Sequence, residues 1–340
     1  MSELSPSHIM QVGMSFFASK ALLSAVELGL FTEIAKQPMT AAALGKRLGL
    51  HPRAVPDFPD ALVALKLLLR EGDGSDSTYF NTPEGTTFLD RNSPDYIGGI
   101  LEMANARLYG FWSNLTEALK TGAPQNETKG SGVPMFAKLY EEPDRLEQFM
   151  NAMSGVSAAN FRAFAQKFDF SRYKALCDVG GATGQLSCMV ATANPHMQCT
   201  SFDLPKVVPI AARRIEAAGL RGRVVPVDGD FFVDPIPKAD VITMGMILHD
   251  WNLEKKKVLI RKAYDALPTG GAFIVIEALI DDARRENTFG LLMSLNMLIE
   301  FGDAFDYSSA DFVSWCREVG FRDFEVIPLA GPSSAAVAYK

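Results

Sequence analysis

From residue 174 onward, short apolar runs alternate with segments of helical pattern. Parallel strands must be joined by crossovers, and a helix is the usual crossover, so this alternation predicts βαβ units and a parallel sheet. The predicted strands are Ala175–Val179, Cys199–Phe202, Arg223–Val227, Asp240–Met244 and Ala272–Ala278.

The segments between these runs complete the prediction of an α/β fold. Helical patterns cover Gly184–Ala193, Val207–Ala218 and Leu253–Ala266. Two closing apolar stretches, Phe324–Leu329 and Ala335–Tyr339, are expected to add antiparallel strands at the sheet edge. We therefore expect a doubly wound, Rossmann-like domain with an antiparallel edge.

The first hundred residues follow a different pattern. Ser5-Pro6-Ser7 is a plausible start for a long apolar helix. Thr40–Leu50 then predicts a short helix and turn, His51–Leu69 an apolar helix, and Gly72–Ser77 a hairpin tip before a strand at Thr78–Phe80. Helix, turn, helix and β wing together resemble a winged-helix domain. We expect one domain over residues 1–100 and a second, with a helical bridge, over 101–340.

A winged helix raises the alternative of a DNA-binding transcriptional regulator. Between residues 40 and 80, the sequence contains five basic and five acidic side chains, so this segment has no excess of positive charge. The would-be recognition helix carries Pro56 and Pro59 and is otherwise apolar, whereas a major-groove helix offers Arg, Lys, Asn or Gln to the bases. These features favour a helical dimerisation module.

Composition narrows the class of partner. The chain has 48% hydrophobic and 21% charged residues and a net charge of −7, which gives no general support for binding nucleic acid. No uninterrupted apolar run approaches the roughly 18 residues of a membrane span, and the first residues do not resemble a signal peptide. The four cysteines are scattered, which fits a reducing cytoplasm and argues against a zinc site. A small molecule is the expected partner.

A glycine turn follows the first predicted strand. Asp178 precedes glycines at 180, 181 and 184, and a helix follows. Glycines allow close approach to a ligand, but their spacing does not match the G-x-G-x-x-G pattern of dinucleotide-binding folds. An acid directly before such a turn is instead typical of sites for S-adenosylmethionine.

Acidic residues also follow the next two strands. Asp203 and Leu204 come about 20 residues after the glycines, the spacing at which a carboxylate accepts ribose hydroxyls. Asp230 and Phe231 follow the third strand, where a carboxylate can bind the adenine amine and a ring can pack on the base. The predicted cofactor residues are Asp178, Gly180, Gly181, Gly184, Asp203, Leu204, Asp230 and Phe231.

The apolar run of the fourth strand leads into Leu248-His249-Asp250-Trp251. Ligands bind at the carboxyl ends of the strands in open α/β sheets, and histidine titrates near neutral pH. His249 is therefore placed for proton transfer.

These segments together resemble the S-adenosylmethionine-dependent O-methyltransferases of the acetylserotonin and caffeate type, over nearly the whole chain. The resemblance implies a front domain that forms a homodimer and a rear domain that binds S-adenosylmethionine. It implies His249 as general base, with Glu277 as one flanking acid and Asp306 as a second. The Asp306 match is weaker, because the segment Gly302–Ser308 departs from the family's usual Gly-Gly-x-Glu-Arg-Thr. Ala182 stands where glycine is commoner.

The residues that bind the methyl acceptor are inferred from residue type alone. Methionines and aromatic rings make adaptable walls for a flat ligand. The predicted substrate-binding residues are Trp112, Met153, Met293, Asn296 and Met297. Aromatic or heteroaromatic hydroxyls of bacterial secondary metabolites are candidates: bipyrrole pigment precursors, which overall similarity to bacterial members favours, phenazines and polyketides. C- or N-methyl transfer on the same scaffold is the nearest alternative.

Overall fold

The structure is a computed structural model that describes residues 4–130, 139 and 143–340. The chain divides into two compact units, a front unit that ends at Gly110 and a rear unit, Phe111–Lys340. Each unit has its own buried core.

The front unit combines helices with a small antiparallel sheet. Its core holds Leu30, Phe31, Leu44, Leu62 and Tyr79. Its helices are α1 (Ser7–Met14), α2 (Phe16–Glu27), α3 (Leu30–Lys36), α4 (Ala41–Leu48), α5 (Asp57–Ala64), α6 (Pro83–Leu89) and α7 (Gly98–Met103), followed by one π-helical turn (Ala104–Leu108) and the start of α8 (Tyr109–Trp112). Its strands are β1 (Met39–Thr40), β2 (Leu68–Glu71) and β3 (Thr78–Asn81), in the order β1-β3-β2.

The prediction of a helix over His51–Leu69 was wrong in both of its boundaries. The helix begins only at Asp57, after Pro56, and ends at Ala64. Lys66 then adopts a left-handed backbone (φ 61°), which terminates the helix. Leu68 onward pairs with β3 as a strand instead, so tertiary pairing overrides a local apolar pattern. The predicted hairpin tip and the strand after it are confirmed.

The helical stretch Ser7–Glu27 is long and apolar enough, by length and composition alone, to cross a membrane. Most of its surface is exposed in this chain, including the side chains of Ile9, Val12 and Phe17. One such helix is weak evidence for a membrane span, because helices of soluble proteins pass the same test.

The rear unit is a seven-stranded sheet with the order β6-β5-β4-β7-β8-β10-β9. Its strands are β4 (Ala175–Val179), β5 (Gln198–Asp203), β6 (Val224–Asp228), β7 (Val241–Gly245), β8 (Ala272–Glu277), β9 (Asp323–Pro328) and β10 (Ser334–Tyr339). β4 to β8 run parallel, while β10 is antiparallel to both β8 and β9. The predicted strands and the antiparallel edge are confirmed, each strand to within one residue at either end.

Helices cover both faces of this sheet. They are α9 (Leu115–Thr121), α10 (Pro143–Lys167), α11 (Gln185–Ala193), α12 (Val208–Ala217), α13 (Leu253–Ala266), α14 (Thr288–Phe301) and α15 (Ser309–Val319). Alternate residues of each central strand enter opposite cores: Phe273 and Val275 pack with α13 and α15, whereas Ile274 and Ile276 pack with α10, α11 and α12. Because β4 to β8 run parallel, their carboxyl ends lie along the same edge of the sheet.

We predict that Lys66→Gly stabilises the protein by about 0.5–1 kcal/mol, because glycine removes the strain that a Cβ atom experiences at φ 61°. Urea or thermal denaturation measures the change. Lys46→Gly, within α4, is the matched control and should lower stability by a similar amount. A loss of stability in both variants would contradict the assignment of strain to Lys66.

Candidate active site

The turn after β4 is held against the end of β5. The amides of Gly180 and Gly181 donate to the Phe202 carbonyl at 2.9 and 3.3 Å. Gly180 has φ 70°, and a Cβ atom there would lie 2.3 Å from Cδ1 of Ile247. A side chain is therefore excluded twice, by backbone conformation and by lack of space. Gly184, also left-handed, begins α11.

Buried carboxylates surround this turn. Asp203 accepts from the Ala182 and Leu204 amides at 2.8 and 2.7 Å, and burial outweighs these bonds to raise its pKa to about 6. Asp178 accepts from the Thr243 hydroxyl at 2.9 Å, and burial raises its pKa to about 7. The predicted acids at 178 and 203 are thus brought to one place.

Asp230 and Phe231 lie at the next loop of the same edge. Asp230 accepts from the Phe232 amide at 2.8 Å, which fixes the turn after β6. The Phe231 ring lies edge-on to Trp251, with centroids 6.0 Å apart. Its Cε1 atom is 3.9 Å from the position of a Cβ on Gly180. The structure therefore places Phe231, one of the predicted cofactor residues, beside the glycine turn.

Helix α10 adds contacts that the sequence patterns do not reveal. The Ser154 and Thr183 hydroxyls lie 2.8 Å apart, which ties α10 to the glycine turn. Met150 of α10 packs in one cluster with Ala182 and Leu204. Nothing in the pattern of a long helix distinguishes Ser154 from other polar positions.

His249 lies in a 3-10 turn (Leu248–Asp250) two residues after β7, and its side chain is only 5% exposed. Nδ1 is 3.2 Å from Oδ1 of Asp306, and the backbone amide donates to Oε1 of Glu277 at 3.2 Å. Nε2 is 3.4 Å from Oδ1 of Asp250. Both predicted acids therefore flank the histidine, but they do so at different atoms.

The division between the two acids refines the sequence interpretation. The sequence left open whether Glu277 or Asp306 binds the ring; the ring contact belongs to Asp306, the residue with the weaker family match. Asp250 is a further neighbour that the sequence interpretation missed as a site residue. Its signal was its position directly after the histidine in Leu248-His249-Asp250-Trp251.

Electrostatics make this cluster retain protons. Burial alone lowers the pKa of the His249 ring, but the carboxylates of Asp250 and Asp306 outweigh burial and raise that pKa above its ordinary value. Burial also raises the pKa of Asp250, to about 7, and that of Glu277. Because these groups titrate together, the cluster keeps a proton at higher pH than an isolated histidine does.

The predicted acceptor residues lie on α8, α10 and α14. The Trp112 indole donates to Oδ1 of Asn296 at 2.9 Å, and Met297 is buried. Met153 and Met293 are half-buried. Helix α14 packs against the His249 turn, and Ser294 accepts from the Asp306 amide at 3.2 Å. Met293, Asn296 and Met297 therefore lie on the helix that packs against the His249 turn.

A mainly parallel sheet with a glycine turn, strand-end acids and a buried histidine is typical of the class of S-adenosylmethionine-dependent methyltransferases. The donor set fits that cofactor, since buried carboxylates suit hydroxyl and ammonium groups and would repel a pyrophosphate.

Comparison with known proteins shows the family. Residues 112–322 match the O-methyltransferase domain, and residues 10–91 match the O-methyltransferase dimerisation domain. The tetracenomycin polyketide synthesis 8-O-methyl transferase TcmO of Streptomyces glaucescens is 39% identical, with 98% of this chain and 97% of the relative covered. The N,N-dimethyltransferase OxyT of Streptomyces rimosus is 36% identical, with 92% and 90% covered.

A solved structure is also similar to this chain. The crystal structure of human N-acetylserotonin methyltransferase in complex with S-adenosylmethionine superposes with a TM-score of 0.91 at 30% identity, covering 100% of this chain and 99% of that one. The chain belongs to the S-adenosylmethionine-dependent O-methyltransferase family, as the motifs indicated. Its front unit carries the family's dimerisation domain; the homodimer itself and a cytoplasmic location stay predictions.

We predict that Gly180→Ala weakens binding of S-adenosyl-L-homocysteine by about tenfold or more, because the new Cβ displaces Ile247 and strains the turn. Isothermal titration calorimetry measures the affinity. Gly219→Ala is the matched control, since Gly219 has a similar φ of 68° and open space around it. Equal affinities in the two variants would contradict a role of the Gly180 turn in cofactor binding.

Proposed function

We propose that this enzyme transfers the methyl group of S-adenosylmethionine to a phenolic hydroxyl, with His249 as general base. The observation that carries the proposal is the buried His249 ring with Nδ1 3.2 Å from Asp306. A buried base with one nitrogen held by a carboxylate leaves the other nitrogen to take a proton.

Methyl transfer to a phenol requires such a base. The cofactor supplies a methyl group on a sulfonium, which reacts by in-line displacement. A phenol titrates near pH 10 and is mostly neutral at pH 7, so removal of its proton makes the oxygen a better nucleophile. A positioned base contributes about 10²–10⁴-fold to such a reaction.

The acids around His249 have separate roles in this proposal. Asp306 accepts from Nδ1–H, which fixes the tautomer with Nε2 unprotonated, and stabilises the imidazolium after proton transfer. Glu277 holds the His249 backbone amide and so positions the turn. Asp250, 3.4 Å from Nε2, adds negative charge beside the cation that forms.

We infer that the acceptor is a polycyclic aromatic phenol of the polyketide type. The resemblance to TcmO, whose name specifies polyketide 8-O-methyl transfer, supports this class over bipyrroles and phenazines. The half-buried methionines Met153 and Met293 and the Trp112–Asn296 pair suit a flat, mostly apolar ligand with few polar groups.

N-methyl transfer is the second candidate, because OxyT is 36% identical and is named an N,N-dimethyltransferase. A neutral amine already has a free lone pair and needs no base to become nucleophilic. Dependence of the rate on His249 therefore separates the two reactions.

We predict that the wild-type enzyme adds one methyl group to a hydroxyl within a panel of hydroxynaphthalenes, hydroxyanthraquinones, hydroxytetracenes, hydroxybipyrroles, hydroxyphenazines and matching aryl amines. Mass spectrometry detects the product, and fragmentation locates the methyl.

His249→Ala should lower kcat by at least about 10²-fold with little change in cofactor affinity. His196→Ala, at an exposed ring outside the cluster, is the control. Undiminished turnover in His249→Ala would remove the base role, and methylation of amines alone would favour the second candidate.

We predict that the rate of O-methylation rises with pH above neutrality, because the base acts only when unprotonated and its carboxylate neighbours raise its pKa. Asp306→Asn removes one of these charges, so the acidic limb of the kcat/KM profile should move to lower pH while the maximal kcat falls by roughly 10²-fold. Asp265→Asn, at an exposed carboxylate of α13 outside the cluster, should leave the limb in place. An acidic limb unchanged in Asp306→Asn would contradict the pairing.

A further inference from the structure

Lys256 is a lysine buried in the first half of α13, with no exposed surface. Its ammonium donates to the backbone carbonyl of Trp251 and, at 2.9 Å, to that of Phe305. It also lies 4.0 Å from the centroid of the Phe305 ring and 5.5 Å from that of Tyr307. A buried ammonium is costly, so a site with this many partners is built to hold one.

The two carbonyls belong to the two chain segments that form the site. Trp251 directly follows the turn that carries His249 and Asp250, whereas Phe305 directly precedes Asp306. One ammonium therefore connects the segment of the base to the segment of the acid that binds its ring. A second connection runs alongside, from the Asn252 amide to Asp303 at 2.7 Å.

Charges around Lys256 favour its cationic form. Burial lowers its pKa to about 8, and carboxylates act in the opposite direction. In return, the ammonium favours the ionised forms of Asp250 and Glu277. The titratable groups that face this cluster are His249 and Asp250 from the 3-10 turn, Lys256 from α13, Glu277 from β8, and Asp303, Asp306 and Tyr307 from the segment after α14.

We propose that Lys256 is a positioning residue for methyl transfer, whose ammonium holds the His249 turn and the Asp306 segment together and places a positive charge among the acids around the ring. The proposal rests on the function proposed for His249. Lys256 acts through other groups: its ammonium is bound to main-chain carbonyls, and its charge offsets part of the negative charge that makes the cluster retain protons.

Removing a cation raises the pKa of each ionisable group in its field, the His249 ring included, because the ionised acids lose a counter-charge and the imidazolium loses a repelling neighbour. Without the ammonium, the base would become available only at higher pH. This change is opposite to the change expected for Asp306→Asn, where an anion is removed.

The test compares Lys256→Met, which removes the charge and the donor, Lys256→Gln, which keeps a donor without charge, and Lys256→Arg, which keeps the charge. The acidic limb of the kcat/KM profile is measured with a phenolic acceptor identified by the panel. NMR titration of ¹³C-labelled histidine, with the His249 signal assigned by its loss in His249→Ala, measures protonation without turnover. We expect the limb and the titration to move upward by about one pH unit in the Met and Gln variants, and to stay near the wild-type position in the Arg variant. Lys257→Met, which loses a partly exposed ion pair with Glu318, is the control.

Several outcomes would overturn the proposal. If the Met and Gln variants lose activity or melting temperature but keep the wild-type limb and titration, Lys256 is a structural residue only. The same conclusion follows if all three variants fail to fold while Lys257→Met folds. Full turnover in His249→Ala would instead remove the base role, and the NMR titration would still report whether Lys256 influences the ring. The two failures are therefore distinguishable.

Discussion

The burial of ionisable groups where β7 and β8 end constrains the rest of the rear unit. Glu277 and Asp306 are almost fully buried, and His249 and Lys256 lie with them. Desolvating any of these charges alone costs several kcal/mol, so each has to meet a partner in good geometry. The β7 turn, the start of α13 and the segment after α14 must therefore arrive together. Hydrogen bonds of the His249 amide and of the Lys256 ammonium fix these segments to one another.

The sheet could be predicted from the sequence because its signals are local. Each central strand is a short apolar run bounded by turn residues, and β7 and β8 are buried on both faces, so the runs are nearly continuous. The helix over His51–Leu69 failed for the opposite reason. Leu67 to Leu69 is apolar in either state, and only pairing with β3, which comes later in the chain, makes Leu68–Glu71 a strand. The residue pattern of His51–Leu69 alone contains no information about pairing with β3.

The structure brings together three residues that the sequence placed at the site, but their separate contacts could not be predicted. His249 was inferred from its place after a strand, and Glu277 and Asp306 from the family resemblance, whereas the choice of Asp306 for the ring and Glu277 for the amide depends on positions that differ by a few ångströms. Lys256 was missed because Lys255 and Lys257 beside it suggest a solvated helix face. Helical spacing nevertheless carried a signal. Lys256 precedes Leu259, Ile260 and Ala263 by three, four and seven residues, which places it on the apolar face of α13.

The charge cluster also bears on the choice between oxygen and nitrogen, which the fold leaves open, because this chain is similar both to an O-methyl transferase and to an N,N-dimethyltransferase. A general base works best when its pKa lies near the operating pH, because it must be unprotonated and still accept a proton readily. His249 is buried with Nδ1 3.2 Å from the Asp306 carboxylate, an arrangement that holds an imidazole in place to accept a proton. A neutral amine already has a free lone pair, so its attack on the methyl group does not need such a base. The His249–Asp306 pair thus favours a hydroxyl acceptor on physical grounds that are independent of any relative's name.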